Sequence, residues 1–183
     1  MALVFIDASS AILLYKADLF TQCAREFSMF MAPAVFREVT PQGYPGTEDF
    51  HGARDRGLIR IRQPEPDHGF SAHPEFDRLG AGESETIGLF DRYACAREPS
   101  FIIIDDGKGA KFCRTHDIPY INALLVPKIF WYSGRMTTDA FKKNTTRLLG
   151  LGRYSKQIIQ QAGELTRTDL SHVTGGGTHE KTS

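Results

Sequence analysis

A chain of 183 residues has room for one well-buried core and too few for two independent domains. With 41% hydrophobic and 24% charged residues it has the composition of an ordinary globular protein. Its 22 Lys+Arg balance 22 Asp+Glu, which excludes binding to nucleic acid through bulk positive charge and leaves a local basic patch or metal ions as the means.

Leu3-Val4-Phe5-Ile6 is an unbroken apolar run ending at Asp7, the pattern of a strand buried on both faces. It is too short for the core of a signal peptide, and no later run approaches a membrane span. Across residues 8–23, Ile12, Leu13, Ala17 and Phe20 recur at helical spacing. Residues 27–31 read as a second short strand, stopped by Pro33, which suits the first turn of a helix bearing Val35, Phe36 and Glu38. Residues 41–46 carry turn chemistry, 48–56 another helix, and 58–62 a half-exposed or edge strand. Residues 63–73 are rich in Pro, His and Asp and read as a loop.

A helix is expected over 82–96, with Thr86, Ile87, Phe90 and Ala94 on its inner side. Phe101-Ile102-Ile103-Ile104 is the strongest strand of the chain and also ends in acid, Asp105-Asp106. Residues 107–115 read as a helix, 119–121 as a short strand, and 123–162 as two or three helices. Residues 166–183 contain Gly175-Gly176-Gly177 and few large apolar side chains, so a disordered tail is expected beyond a domain of residues 1–165. The alternation of strand and helix predicts a mainly parallel sheet with helices on both faces. Cys23, Cys95 and Cys113 are odd in number and form no C-x-x-C pair, so neither a disulfide framework nor a zinc site is expected and a reducing, cytoplasmic setting fits.

Open parallel sheets bind ligands beyond the carboxyl ends of their strands, at a switch in strand order. Both buried runs end in Asp at that edge, and if the two strands are neighbours their carboxylates converge. Each acid also has a plainer reading. Asp7 fits a helix N-cap, and Asp105-Asp106-Gly107 a turn. Glu38 fits a solvated helix residue, and Glu83 or Glu85 a complement to a helix N-terminus. Singly, the plainer readings are favoured; four segments returning acids to one edge weigh against them.

Those four segments carry a resemblance. Val4-Phe5-Ile6-Asp7-Ala8-Ser9, Pro33-Ala34-Val35-Phe36-Arg37-Glu38-Val39, Leu79-Gly80-Ala81-Gly82-Glu83-Ser84-Glu85-Thr86-Ile87 and Ile103-Ile104-Asp105-Asp106 with Gly109 resemble, in this order, the motifs of PIN-domain nucleases. The likeness is to the prokaryotic subgroup related to VapC-type toxins, and runs from Met1 to about Tyr120, more loosely to Gln161. The chain departs from the pattern at Ala110-Lys111, where many members have Arg, and at Asn122-Ala123-Leu124-Leu125-Val126, where the subgroup often has Gly-Thr-Leu-Gly.

The resemblance implies a three-layer α/β/α sandwich and an Mg²⁺- or Mn²⁺-dependent endoribonuclease leaving 5′-phosphate and 3′-hydroxyl ends. Asp7, Glu38, Glu83 and Asp105 or Asp106 would hold the metal, an oxygen-only set that suits hard cations. Glu83 is preferred to Glu85 because Ile87 then falls one turn later on the buried face. Ser9 would hold Asp7 or a water of the cation, or else cap the helix. Lys108, Lys111 and Arg114 would meet the RNA backbone, or else stand as solvated helix residues. His68 and His73 read as loop or surface residues, with no zinc-binding spacing.

The partners implied are RNA, a small antitoxin inserting a peptide into the cleft, and a second copy of the chain. For the homodimer, Leu14, Tyr15, Leu19 and Phe20 supply more apolar surface than one helix face needs. The competing readings are a catalytically inactive PIN-like binding module and a structure-specific DNA nuclease. A nucleotide-binding doubly wound protein is disfavoured, since no G-x-G-x-x-G follows either buried strand.

Overall fold

In the computed structural model, which describes residues 1–65, 69–94 and 98–174, the apolar runs form a five-stranded sheet. The strands are β1 (Leu3–Ile6), β2 (Ser28–Met31), β3 (Ile59–Ile61), β4 (Ser100–Ile103) and β5 (Tyr120–Ile121). Their order is β3-β2-β1-β4-β5, with every pairing parallel. β1 and β4 are neighbours, in the register Phe5↔Ile102, and the direction of winding reverses between them. The half-exposed run at 58–62 is an edge strand, as its pattern implied.

The connecting helices are α1 (Ala8–Lys16), α2 (Phe20–Glu26), α3 (Pro33–Val39), α4 (Thr47–Asp55), α5 (Ala81–Tyr93) and α6 (Gly107–Thr115). After β5 come α7 (Val126–Tyr132), α8 (Thr138–Leu151), α9 (Lys156–Glu164) and the short α10 (Ser171–Thr174). Aromatic contacts locate the two outer layers. Phe5 stacks on Phe30 at 5.3 Å and meets Phe90 of α5 edge-on at 5.7 Å. On the other face Phe101 meets Phe27 edge-on at 5.6 Å, and Phe27 stacks on Phe130 of α7 at 5.8 Å. The expected three-layer α/β/α sandwich is the fold observed.

Three expectations change. The helix expected over 8–23 is two helices, because the chain reverses at Ala17-Asp18-Leu19, with Asp18 in the left-handed region at φ 60°. That turn rotates the following residues inward: Leu14, Leu19 and Phe20 are all buried, and Tyr15 packs against Phe50 with its hydroxyl donating to Asp49. The apolar surplus that motivated a homodimer is therefore spent inside the protomer. Packing also continues past residue 165, since Leu170 and Val173 are buried; residues 175–183 of the expected tail lie outside the described residues, as do His68 and residues 95–96 of the expected α5. Finally, residues 69–78 of the expected loop region and the stretch after it hold two 3-10 turns, Gly69–Ala72 and Phe76–Arg78. Among the described residues no helix is long and apolar enough to cross a membrane.

Candidate active site at the carboxyl edge of the sheet

The reversal between β1 and β4 places Asp7 and Asp105 beside each other at the carboxyl edge. Asp7 is 3% exposed and caps α1: Ser10 N donates to its Oδ1 at 2.8 Å, and Ser9 Oγ donates to its Oδ2 at 2.6 Å. Capping and membership of the acid cluster are thus combined in one residue rather than exclusive. Ser10, fully buried, joins the pair by donating its Oγ to Asp105 Oδ2 at 2.8 Å. The same Asp105 oxygen accepts from Ala123 N at 2.9 Å, so the segment that departs from the family pattern supplies a fixed backbone donor. Burial pushes the Asp7 carboxyl up to about 6 against the lowering effect of its serine donors, and Asp105 adds to the rise. Burial likewise raises Asp105, opposed by its Ala123 and Ser10 donors.

A second pair stands one helix away. Glu83 opens α5 and accepts from Gly80 N at 3.1 Å, while Asp106 caps α6 by accepting from Lys108 N at 2.7 Å and Gly109 N at 3.2 Å. Glu83 is raised chiefly by burial, with Gly80 opposing and Asp106 adding. Gly109 allows α6 to come this close: a Cβ there would lie 2.2 Å from Ile104 Cδ1 and 3.5 Å from Glu83 Cγ. Glu38 joins from α3, its Oε1 lying 3.0 Å from the point where a Cβ on Gly82 would sit. Glu85 points elsewhere. Its Oε2 accepts from Ala34 N at 2.8 Å and so closes the N-terminus of α3, which has no capping side chain of its own.

The acids therefore share one edge as two pairs with Glu38 alongside, and among the described residues they do not bring three ligand oxygens within 4.8 Å of one another. The donor set still fits a hard divalent cation, being all carboxylate oxygen. Asp105 Oδ1 supplies the observation that tests the fit: it is buried and makes no hydrogen bond.

A cleft of about 910 Å³ opens beside Asp105 and Asp106, whereas Asp7, Glu38 and Glu83 do not line it. Ser9, Asp105, Asp106, Lys111 and Arg114 line it, whereas Lys108 is not among its walls. Among the polar lining residues, Arg153 and Tyr154 had escaped the sequence reading, which met Asn122 only as part of the segment that departs from the family pattern. Tyr154 comes from the α8–α9 connection, its ring laid over Gly152, where a Cβ would clash at 2.3 Å. Burial, then the charge of Asp105, push its phenol well above the usual range. The phenol and Asp105 are close enough to act on each other as hydrogen-bonding neighbours, Tyr154 lowering Asp105 and Asp105 raising Tyr154, although the geometry between them falls short of a regular hydrogen bond. Arg153-Tyr154 matches no motif, so only proximity in space identifies it.

A family model described as a PIN domain matches residues 3–162. The chain belongs to the PIN-domain family, a nuclease-type fold, and the four motif segments all lie within the matched span. No curated protein and no solved structure matches it.

Proposed function

We propose that the protein is an Mg²⁺- or Mn²⁺-dependent ribonuclease that hydrolyses RNA phosphodiester bonds at this edge. The observation that carries the reading is Asp7–Ser10–Asp105 at the switch between β1 and β4, with one buried carboxylate oxygen left open beside a cleft lined by Lys111, Arg114 and Arg153. Asp7, Asp105, Glu83, Asp106 and Glu38 are the residues that would hold the cation. When bound, such a cation lowers the pKa of water and stabilises charge developing on phosphate oxygens. The chain's own residues do the remainder. Ser9 and Ser10 hold the two aspartates against rotation, and Lys111, Arg114 and Arg153 offer cationic contacts to the RNA backbone.

The likeness to VapC-type sequences extends the proposal to a toxin paired with a small antitoxin, acting in the cytoplasm. The homodimer rests on that likeness alone. Recovery of the protein from its host without a small partner counts against the toxin role, and light scattering decides the dimer. The activity itself is tested with matched single-stranded RNA and DNA. Cleavage of RNA should appear with Mg²⁺ or Mn²⁺, vanish in EDTA and not return with Ca²⁺, which tolerates irregular coordination. Cleavage that persists in EDTA, or cleavage of DNA alone, overturns the reading.

A further inference from the structure

We infer that His73, Glu75 and His116 form a second metal site, for a Zn²⁺-type cation, distinct from the carboxylate edge. One ligand atom from each of the three lies within 4.8 Å of the other two. The imidazoles of His73 and His116 stand with ring centres 4.2 Å apart. Phe112 packs on His116 at 4.2 Å, and Phe70 meets both histidines and Phe112 at 6.0–6.4 Å. Two imidazoles are thus gathered among aromatic rings, with the exposed Glu75 carboxylate beside them. His116 Nε2 is buried there without a hydrogen-bond partner. An imidazole nitrogen left without a partner in that position can be satisfied by a cation on its lone pair and not by the aromatic rings around it.

The backbone holds the ligands in place before any metal arrives. His116 is the C-cap of α6, its amide bonded to Phe112 O, and the chain turns away at Asp117 in the left-handed region. His73 lies between the two 3-10 turns, donating to Phe70 O and accepting from Phe76 N. Two nitrogens and one oxygen suit zinc and its neighbours rather than Mg²⁺. Three protein ligands leave a fourth position for water. The cation would fasten residues 69–79, which lead into Gly80 and Glu83, to the far end of α6, whose first turn carries Asp106.

The experiment is a Zn²⁺ titration by calorimetry of chelator-treated full-length protein, with Co²⁺ as spectroscopic probe. One Zn²⁺ per chain should bind, and Co²⁺ should give the visible absorption of a four-coordinate ion. His73→Gln and His116→Gln should each weaken binding by more than the roughly 10–100-fold typical of changing a residue that only supports a ligand. Glu75→Gln, at an exposed position, provides a variant whose folding is not at issue and should also weaken it. Asp7→Asn should leave binding intact, and excess Mg²⁺ should not displace the ion. Absence of saturable Zn²⁺ binding overturns the site. So does binding that survives in a folded His73→Gln/His116→Gln protein, or binding lost in Asp7→Asn but kept in the histidine variants.

Discussion

The two acid pairs at the carboxyl edge are built on different terms. Asp7 and Asp105 lie just past the ends of β1 and β4, three of their four oxygens fixed by Ser9, Ser10 and Ala123, and burial raises both carboxyls. Glu83 and Asp106 sit at helix starts, half-buried, and lean on backbone amides of Gly80, Lys108 and Gly109. The inner pair is preorganised at a cost in folding free energy, while the outer pair stays inexpensive because helix N-termini favour negative charge. Asp7 and Asp105 are thus the pair whose burial cost a bound cation would offset.

Asp7→Asn breaks the inner pair and carries the largest expected effect. RNA cleavage should fall by roughly 10²-fold or more, the scale seen when one preorganised group is lost from a charge-stabilising site. Because Asn also caps helices, the metal-free variant should be at least as stable as wild type, and added Mn²⁺ should raise its melting temperature less. A variant that still cuts at near wild-type rate removes Asp7 from the site.

Next comes pH. The folded protein holds the Asp7 proton more tightly than the unfolded chain, with a pKa of about 6 against an ordinary 3.8. Acid therefore favours folding through this group: its contribution is least above pH 6, grows as pH falls through 6, and is complete below 3.8. The whole span is worth about 3 kcal/mol. Urea melts of metal-free wild type and Asp7→Asn across this window should show a larger gain on acidification in wild type, the part that remains in the variant coming from Asp105 and Glu83.

Ser10→Ala sharpens the comparison by loosening the inner pair without removing an acid. Losing a hydrogen bond to a charged group should cost about 2 kcal/mol at neutral pH, and cleavage should drop between roughly 10- and 100-fold as Asp105 loses its orientation. An equal loss in Glu83 cleavage geometry is not expected, so Mn²⁺ affinity should change less than the rate.

The smallest effect is expected at Glu85, two residues after Glu83. Glu85→Gln should leave cleavage unchanged and lower stability by no more than about 1 kcal/mol, since Glu85 only closes the start of α3. Glu83→Gln should lose cleavage. The reverse outcome in an RNA assay would exchange their roles.

The parts of this edge that a reader of the sequence could find are those marked by pattern. Apolar runs ending in Asp7 and Asp105 announce strand ends, and the glycines around Glu83 announce a helix start close to other backbone. Ser10 was legible only as the residue after Ser9, because its partner Asp105 is 95 positions away. Tyr154 and the Ala123 amide reach Asp105 through tertiary packing, which no local spacing records. Nor was the break at Asp18 visible, since a non-glycine residue at positive φ leaves the helical period on either side intact. His73 and His116 are 43 positions apart, so the loop reading of His73 had no means of pairing it.

The adjacency of β1 and β4 has a consequence for how the protein is made. β1 leaves the ribosome almost one hundred residues before the strand that flanks it on the β4 side, and Asp105 then waits for the amide of Ala123. A nascent chain complete through α5 already carries Asp7, Glu38 and Glu83, but its central strand has an open edge and no opposing carboxylate. Long-range pairing of this kind is also slow to form. The edge is consequently completed only once the chain has been made through Ala123, and a product truncated before that point should be inert rather than partly active.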